Sequence, residues 1–215
     1  MKEFAPGSEM SEPGTIEYPI IDSQMTIEEA LRANPDFFLA PEIFERQVVL
    51  KVVYLSFDGK YHQGQIVVDK DLEGDVKDFF NFLIEQNFPI NKTVPIAHNK
   101  YNFDDTLSMG DNNSSGFNPR NIAGTEDKPR PSNHAFGRAI DLNPFQNPFI
   151  KNNNIEPKGA KYNIANPGTF SPDSPVVLFL KSRGWIWGGD YQEIKDYHHF
   201  EKPLKKAEQD LQQEN

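Results

Sequence analysis

Three of the five histidines in this chain fall in two short stretches that also carry aspartates. The first, Ser132 to Asp141, reads Ser-Asn-His-Ala-Phe-Gly-Arg-Ala-Ile-Asp; the second, Asp196 to Glu201, reads Asp-Tyr-His-His-Phe-Glu. Imidazole nitrogen and carboxylate oxygen are donors of catalytic zinc sites, which use three protein ligands and a nearby base. The chain has no cysteine, so any metal must be held by nitrogen and oxygen, and disulfides are excluded. His134 and Asp141 are separated by a glycine-containing turn, short enough for a loop running into a strand to aim both at one centre. His199 can supply a third ligand from a neighbouring strand. His198 alternates with it, so only one of the two faces the centre squarely, and the pattern does not choose between them. Asp196 stands three positions before His199, where its carboxylate can act as general base. The competing reading is plain: a lone histidine in a loop is usually solvated or hydrogen-bonded, and the spacing is not HExxH. Asp141 resists it, because a carboxylate among Ala139, Ile140 and Leu142 is costly to bury unless paired or bound to a metal.

Positioning these residues takes a scaffold. Thr26 and Glu29 form a capping box for a short helix over 27–33, and a second helix is expected over 41–46. The β-branched and aromatic runs 48–57 and 61–68, joined by Asp58-Gly59-Lys60, read as a β-hairpin. Leu72, Val76, Phe79, Phe80 and Leu83 fall at helical spacing and predict an amphipathic helix over 71–86. Residues 88–131 read as loop, with Val94-Pro95-Ile96 as a short strand; 137–143 alternates as a strand; 144–172, with many prolines and asparagines, reads as a second long irregular excursion. The two long loops, 99–130 and 144–172, are the expected substrate-facing regions. Ser174-Pro175 opens a helix that stops at Gly184, and 185–187 and 198–201 read as neighbouring strands. The fold class expected is α+β, helices packed on an antiparallel sheet. Residues 1–22 are expected to be an extended or disordered lead-in, 23–203 the domain, and 204–215 a polar tail.

A net charge of −10 argues against a nucleic-acid surface. No run of about 20 apolar residues marks a membrane span, and residues 1–22 lack the apolar core of a signal peptide. Either the protein is cytoplasmic, or it acts in the periplasm or cell envelope with its signal or anchor outside this chain. A monomer is the expected state.

Ser132-x-His134-x-x-Gly137-x-Ala139-x-Asp141 resembles the SxHxxGxAxD signature of the zinc D-Ala-D-Ala peptidases, which include VanY-like carboxypeptidases and L-alanyl-D-glutamate peptidases of bacterial peptidoglycan. Asp196-x-x-His199, with Trp187-Gly188-Gly189 before it and His199-Phe200-Glu201 at its end, resembles that family's second signature. The resemblance covers about residues 48–203, and it departs from the family at Pro119 and Asp190. It implies a hedgehog/D-Ala-D-Ala peptidase-like fold, zinc held by His134, Asp141 and His199, and Asp196 as base. It further implies Arg120 on the substrate carbonyl and oxyanion, and Ser132 and His198 in supporting or substrate-binding roles. The substrate implied is a peptidoglycan stem peptide, cut as a D-alanyl-D-alanine carboxypeptidase or an L-alanyl-D-glutamate endopeptidase would cut it. The alternative is a metal-stabilised binding module on the same fold, which would be favoured if His198 closed a four-ligand site.

Overall fold

A computed structural model describes residues 12–125 and 127–202. The expected polar tail lies outside the described residues, as does the first half of the lead-in. The rest of the lead-in is not a plain extended run: residues 13–18 bend, with Gly14 N–H donating to Tyr18 O, before β1 (Ile20–Ile21), which pairs in parallel with the third strand.

After β1 come two single-turn helices, α1 (Ile27–Ala30) and α2 (Pro41–Phe44). The Thr26/Glu29 capping box is present in full. The expected hairpin forms from β2 (Gln47–Leu55) and β3 (Tyr61–Asp69), antiparallel in register from Gln47 opposite Asp69 to Leu55 opposite Tyr61. A 3-10 turn then leads into α3 (Glu73–Glu85), which buries Val76, Phe79, Phe80 and Leu83 against that hairpin. Each such side chain contributes about 1.5–3 kcal/mol on burial, so this stripe is the main anchor of the helix.

The long region expected as loop contains α4 (Asp105–Gly110), capped by the Asp104 carboxylate on the Leu107 N–H. Asp104 is therefore a helix cap. Val94-Pro95-Ile96 is not a strand; only Thr93 makes a bridge, to Ser114, because Pro95 has no N–H to give a ladder. The strand expected over 137–143 is β4 (Ala139–Asp141).

The excursion 144–172 is more ordered than its composition suggests. It holds a hairpin of β5 (Phe149–Lys151) and β6 (Asn154–Glu156), turned by Asn152 and Asn153, both with positive φ as a two-residue hairpin turn requires. Its ends are tied down by buried asparagines: Asn147 Nδ2 donates to Gly168 O and Asn147 Oδ1 accepts from the Phe170 N–H, while Asn143 Nδ2 donates to Pro89 O.

α5 (Pro175–Ser182) is capped by Ser174 and buries Val176, Val177 and Leu180 beside α3; Leu178 faces solvent, so the helix is half rather than wholly buried. The last strands among the described residues are β7 (Ile186–Trp187), β8 (Lys195–Asp196) and β9 (His199–Glu201). Among the described residues there are three small sheets, β1-β3-β2, β4-β9-β7 and β6-β5-β8. Apart from β1, all strand pairings are antiparallel. The architecture is α+β, with one core joining the β2–β3 hairpin, α3, α5, Ile140, Trp187 and Phe200.

Candidate metal centre

β4 and β9 set the centre. Their register places Asp141 directly opposite His199 and Ile140 opposite Phe200. Cross-strand partners share a face, so Asp141 and His199 meet on one side while Ile140 and Phe200 enter the core on the other. Residues 114–118 run along the opposite edge of β4, where Ser115 and Asp141 exchange backbone hydrogen bonds of 2.8 and 2.9 Å.

His134 arrives on a 3-10 turn, Asn133–Phe136, capped by Ser132 Oγ accepting from the His134 N–H. Gly137 ends this turn with φ +65°, and its N–H donates to His134 O. A Cβ at this position would sit 2.0 Å from Gln47 Oε1 and 2.6 Å from the Asp69 nitrogen. Both the left-handed backbone and the space demand glycine, which gives the glycine of the first stretch a physical cause.

The side chains converge. His134 Nε2 lies 3.1 Å from Asp141 Oδ2 and 3.2 Å from His199 Nδ1, and His199 Nδ1 lies 2.9 Å from Asp141 Oδ1. All three residues are buried, at 1%, 4% and 9% exposure. The outward nitrogens fix the tautomers. His134 Nδ1 is 2.7 Å from Gly116 O, which can only accept, so in the neutral ring Nε2 turns its lone pair inward. His199 Nε2 is 3.1 Å from Glu201 Oε2, so Nδ1 does the same. Two nitrogen lone pairs and two carboxylate oxygens thus face one point, a set that repels itself unless a cation lies among them. A tetrahedral zinc with bonds of about 2.0–2.1 Å separates its ligand atoms by roughly 3.3 Å, close to these distances. The donor set fits zinc.

The electrostatics carry the same demand for positive charge. Burial disfavours a charged His199, but hydrogen bonds to Asp141 and Glu201 overcome it and raise its pKa to about 10. Burial likewise opposes ionisation of Asp141, yet the neighbouring His134 and His198 hold it well below the usual carboxylate range. Glu201 is also raised by burial and pulled back, chiefly by His199, to about 2.

His198 is not part of this cluster. Its Nδ1 donates to Asn147 O at 2.8 Å and its Nε2 lies 2.9 Å from Asp196 Oδ1, so both ring nitrogens are engaged elsewhere. Burial lowers its pKa, but Asp196 and Asp141 raise it to about 9. His198 also stands just before β9 rather than within it. Asp196 Oδ1 is enclosed and, although close to His198, receives no aligned hydrogen bond.

Arg120 is committed to Asp105, with Nη2 3.1 Å from Oδ2, and its Nη1 donates to Asn121 O; its Nε is buried without a partner in the chain. It joins the site's neighbourhood through the backbone, where Ser132 N donates to Arg120 O and Asn118 N to His134 O.

Residues 126–202 match a protein-family model described as D-alanyl-D-alanine carboxypeptidase. Over that stretch the chain is similar to this family. No solved structure matches the chain. The matched stretch includes His134, Asp141, Asp196 and His199, whereas Arg120 precedes it.

Glu201 touches the cluster, and spacing did not single it out. Its Oε2 accepts from His199 Nε2 and, at 2.6 Å, from Asn133 Nδ2, and Tyr191 also hydrogen-bonds to the carboxyl group. The signal was available: positions i and i+2 on a strand share a face, so Glu201 had to lie beside His199.

Proposed function

We propose that this protein is a zinc-dependent peptidase that hydrolyses a peptide bond in the stem peptide of peptidoglycan, acting outside the cytoplasm. The observation that carries the reading is the convergence of His134 Nε2, His199 Nδ1 and Asp141, with the outward nitrogens held so that lone pairs point inward. Three protein donors are the number used by catalytic zinc sites, and structural sites use four. His198, the residue able to close a fourth position and so favour a binding module, has both nitrogens occupied elsewhere. A hedgehog/D-Ala-D-Ala peptidase-like arrangement is the fold reading that accompanies this function.

When bound, zinc supplies Lewis acidity toward a carbonyl and toward a water. The chain supplies the rest. Asp196 takes the proton of the attacking water on its carboxylate and passes it to the leaving nitrogen. Arg120, held in place by Asp105, offers its charge to the developing oxyanion. Ser132 fixes the turn that carries His134. The D-alanyl-D-alanine bond is the first bond to test, because the matched family's description names it.

The test is incubation of purified muropeptides with the zinc-loaded protein, read by mass spectrometry. Loss of a terminal alanine identifies a carboxypeptidase, and cleavage after L-alanine identifies an endopeptidase. Asp196→Ala is expected to retain about one zinc and lose hydrolysis, whereas His134→Ala loses both. Full activity in Asp196→Ala refutes the assignment of the base.

A further inference from the structure

Resting on that reading and deepening it, we propose that His198 is the positioning residue for Asp196, holding the carboxylate from a rigid support built of Asn147. His198 is buried and adjacent in sequence to a candidate zinc ligand, yet it points away from that cluster. Its Nδ1–H is fixed on Asn147 O at 2.8 Å. Asn147 itself is wholly buried and cannot swing: its Nδ2 donates to Gly168 O at 2.9 Å and to Asn143 O at 3.2 Å, and its Oδ1 accepts from Phe170 N at 2.7 Å. With one nitrogen bolted to this knot, the direction of Nε2 is determined, and it ends 2.9 Å from Asp196 Oδ1.

Asp196 needs such a neighbour. It sits on β8, a strand of only two residues, where Phe149 is its cross-strand partner. On its other side the backbone of Gly188 presses close; a Cβ there would stand 2.4 Å from Asp196 O and 2.9 Å from Asp196 Cβ. The side chain is therefore confined between the glycine and the imidazole edge, and the imidazole decides where Oδ1 comes to rest. The two nitrogens of one ring thus connect the 144–172 excursion to the base, and changes near Asn147 reach Asp196 through His198.

Two substitutions separate the nitrogens. In His198→Asn the amide nitrogen replaces Nδ1 and keeps the Asn147 bond but withdraws from Asp196; in His198→Gln the amide reaches the place of Nε2 and restores the contact. On purified muropeptides His198→Asn is expected to lose about 10–100-fold in kcat, the usual effect of removing a group that orients a working residue. Its KM should stay within about twofold and its zinc content near one per chain. His198→Gln should recover most of the lost kcat. Wild-type kcat in His198→Asn, equal impairment in both variants, or loss of zinc from His198→Asn overturns the proposal. A readout independent of turnover is the imidazole 15N spectrum: Asp196→Ala should shift the His198 Nε2 resonance and leave Nδ1 in place, and an unmoved Nε2 also overturns it. Activity of Asp196→Ala alone would instead refute the assignment of the base, so the two failures are distinguishable.

Discussion

Glu201 offers the sharpest quantitative test of the metal centre. Its Oε2 takes hydrogen bonds from His199 Nε2 at 3.1 Å and from Asn133 Nδ2 at 2.6 Å, and Tyr191 bonds to the same carboxyl group. Asn133 adjoins His134, so one carboxylate braces the elements carrying both histidines. Charge adds to geometry: zinc with Asp141 leaves one net positive charge, and Glu201 cancels it. Removing an orienting partner of a metal-bound histidine typically weakens metal binding by about 10–100-fold, or roughly 1.4–2.7 kcal/mol. Glu201→Gln keeps the shape and one acceptor oxygen but loses the charge, so it should fall near the tenfold end. Glu201→Ala also releases Asn133 and should fall near the hundredfold end. Competition of the metal-free proteins against a chromophoric chelator at fixed pH measures both. A zinc affinity for Glu201→Ala within about twofold of wild type would refute the argument, because outer partners of this kind would then not set the ligand geometry.

Other perturbations separate stability from the site. Gly137→Ala forces a side chain into left-handed backbone and against Gln47 and Asp69; the backbone term alone costs about 1–2 kcal/mol, and chelator competition should show weaker zinc binding because the His134 turn shifts. Leu180→Ala, in the α3–α5 core and not itself a ligand, should cost about 2–5 kcal/mol in denaturant unfolding while leaving zinc stoichiometry unchanged. Asp111 feels burial that raises its pKa, but Lys100, Tyr101 and Lys92 outweigh it and hold it below 3.8. Its folded pKa is depressed, so its stabilisation is present above the unfolded value and disappears as pH falls through the folded one. Asp111→Asn should therefore be less stable at pH 7 by about 1 kcal/mol, discounted for its partly solvated partners. Urea melts should show the difference vanishing as the pH falls below the usual carboxylate range.

The scaffold was legible wherever local chemistry decided the outcome. The capping box at Thr26, the Asp58-Gly59 hairpin, the apolar stripe of α3 and the Ser174-Pro175 helix start all act over a few residues, and all form close to where periodicity and caps place them. The excursion 144–172 and helix α4 were not legible, since their order comes from buried asparagine amides and from a cap in a stretch of loop-like composition. The resemblance in the two short stretches extends to a family match over residues 126–202.

At the centre itself, residue types and spacing determine which atoms are available: imidazoles and carboxylates, no thiolates, and a glycine where a turn must be left-handed. What they leave open is which of two adjacent histidines faces inward. Tertiary structure decides that, because the β4–β9 register sets His199 across from Asp141 while Asn147 draws His198 the other way. Register and buried hydrogen bonds are long-range facts, fixed only when strands far apart in the chain pair and exclude water.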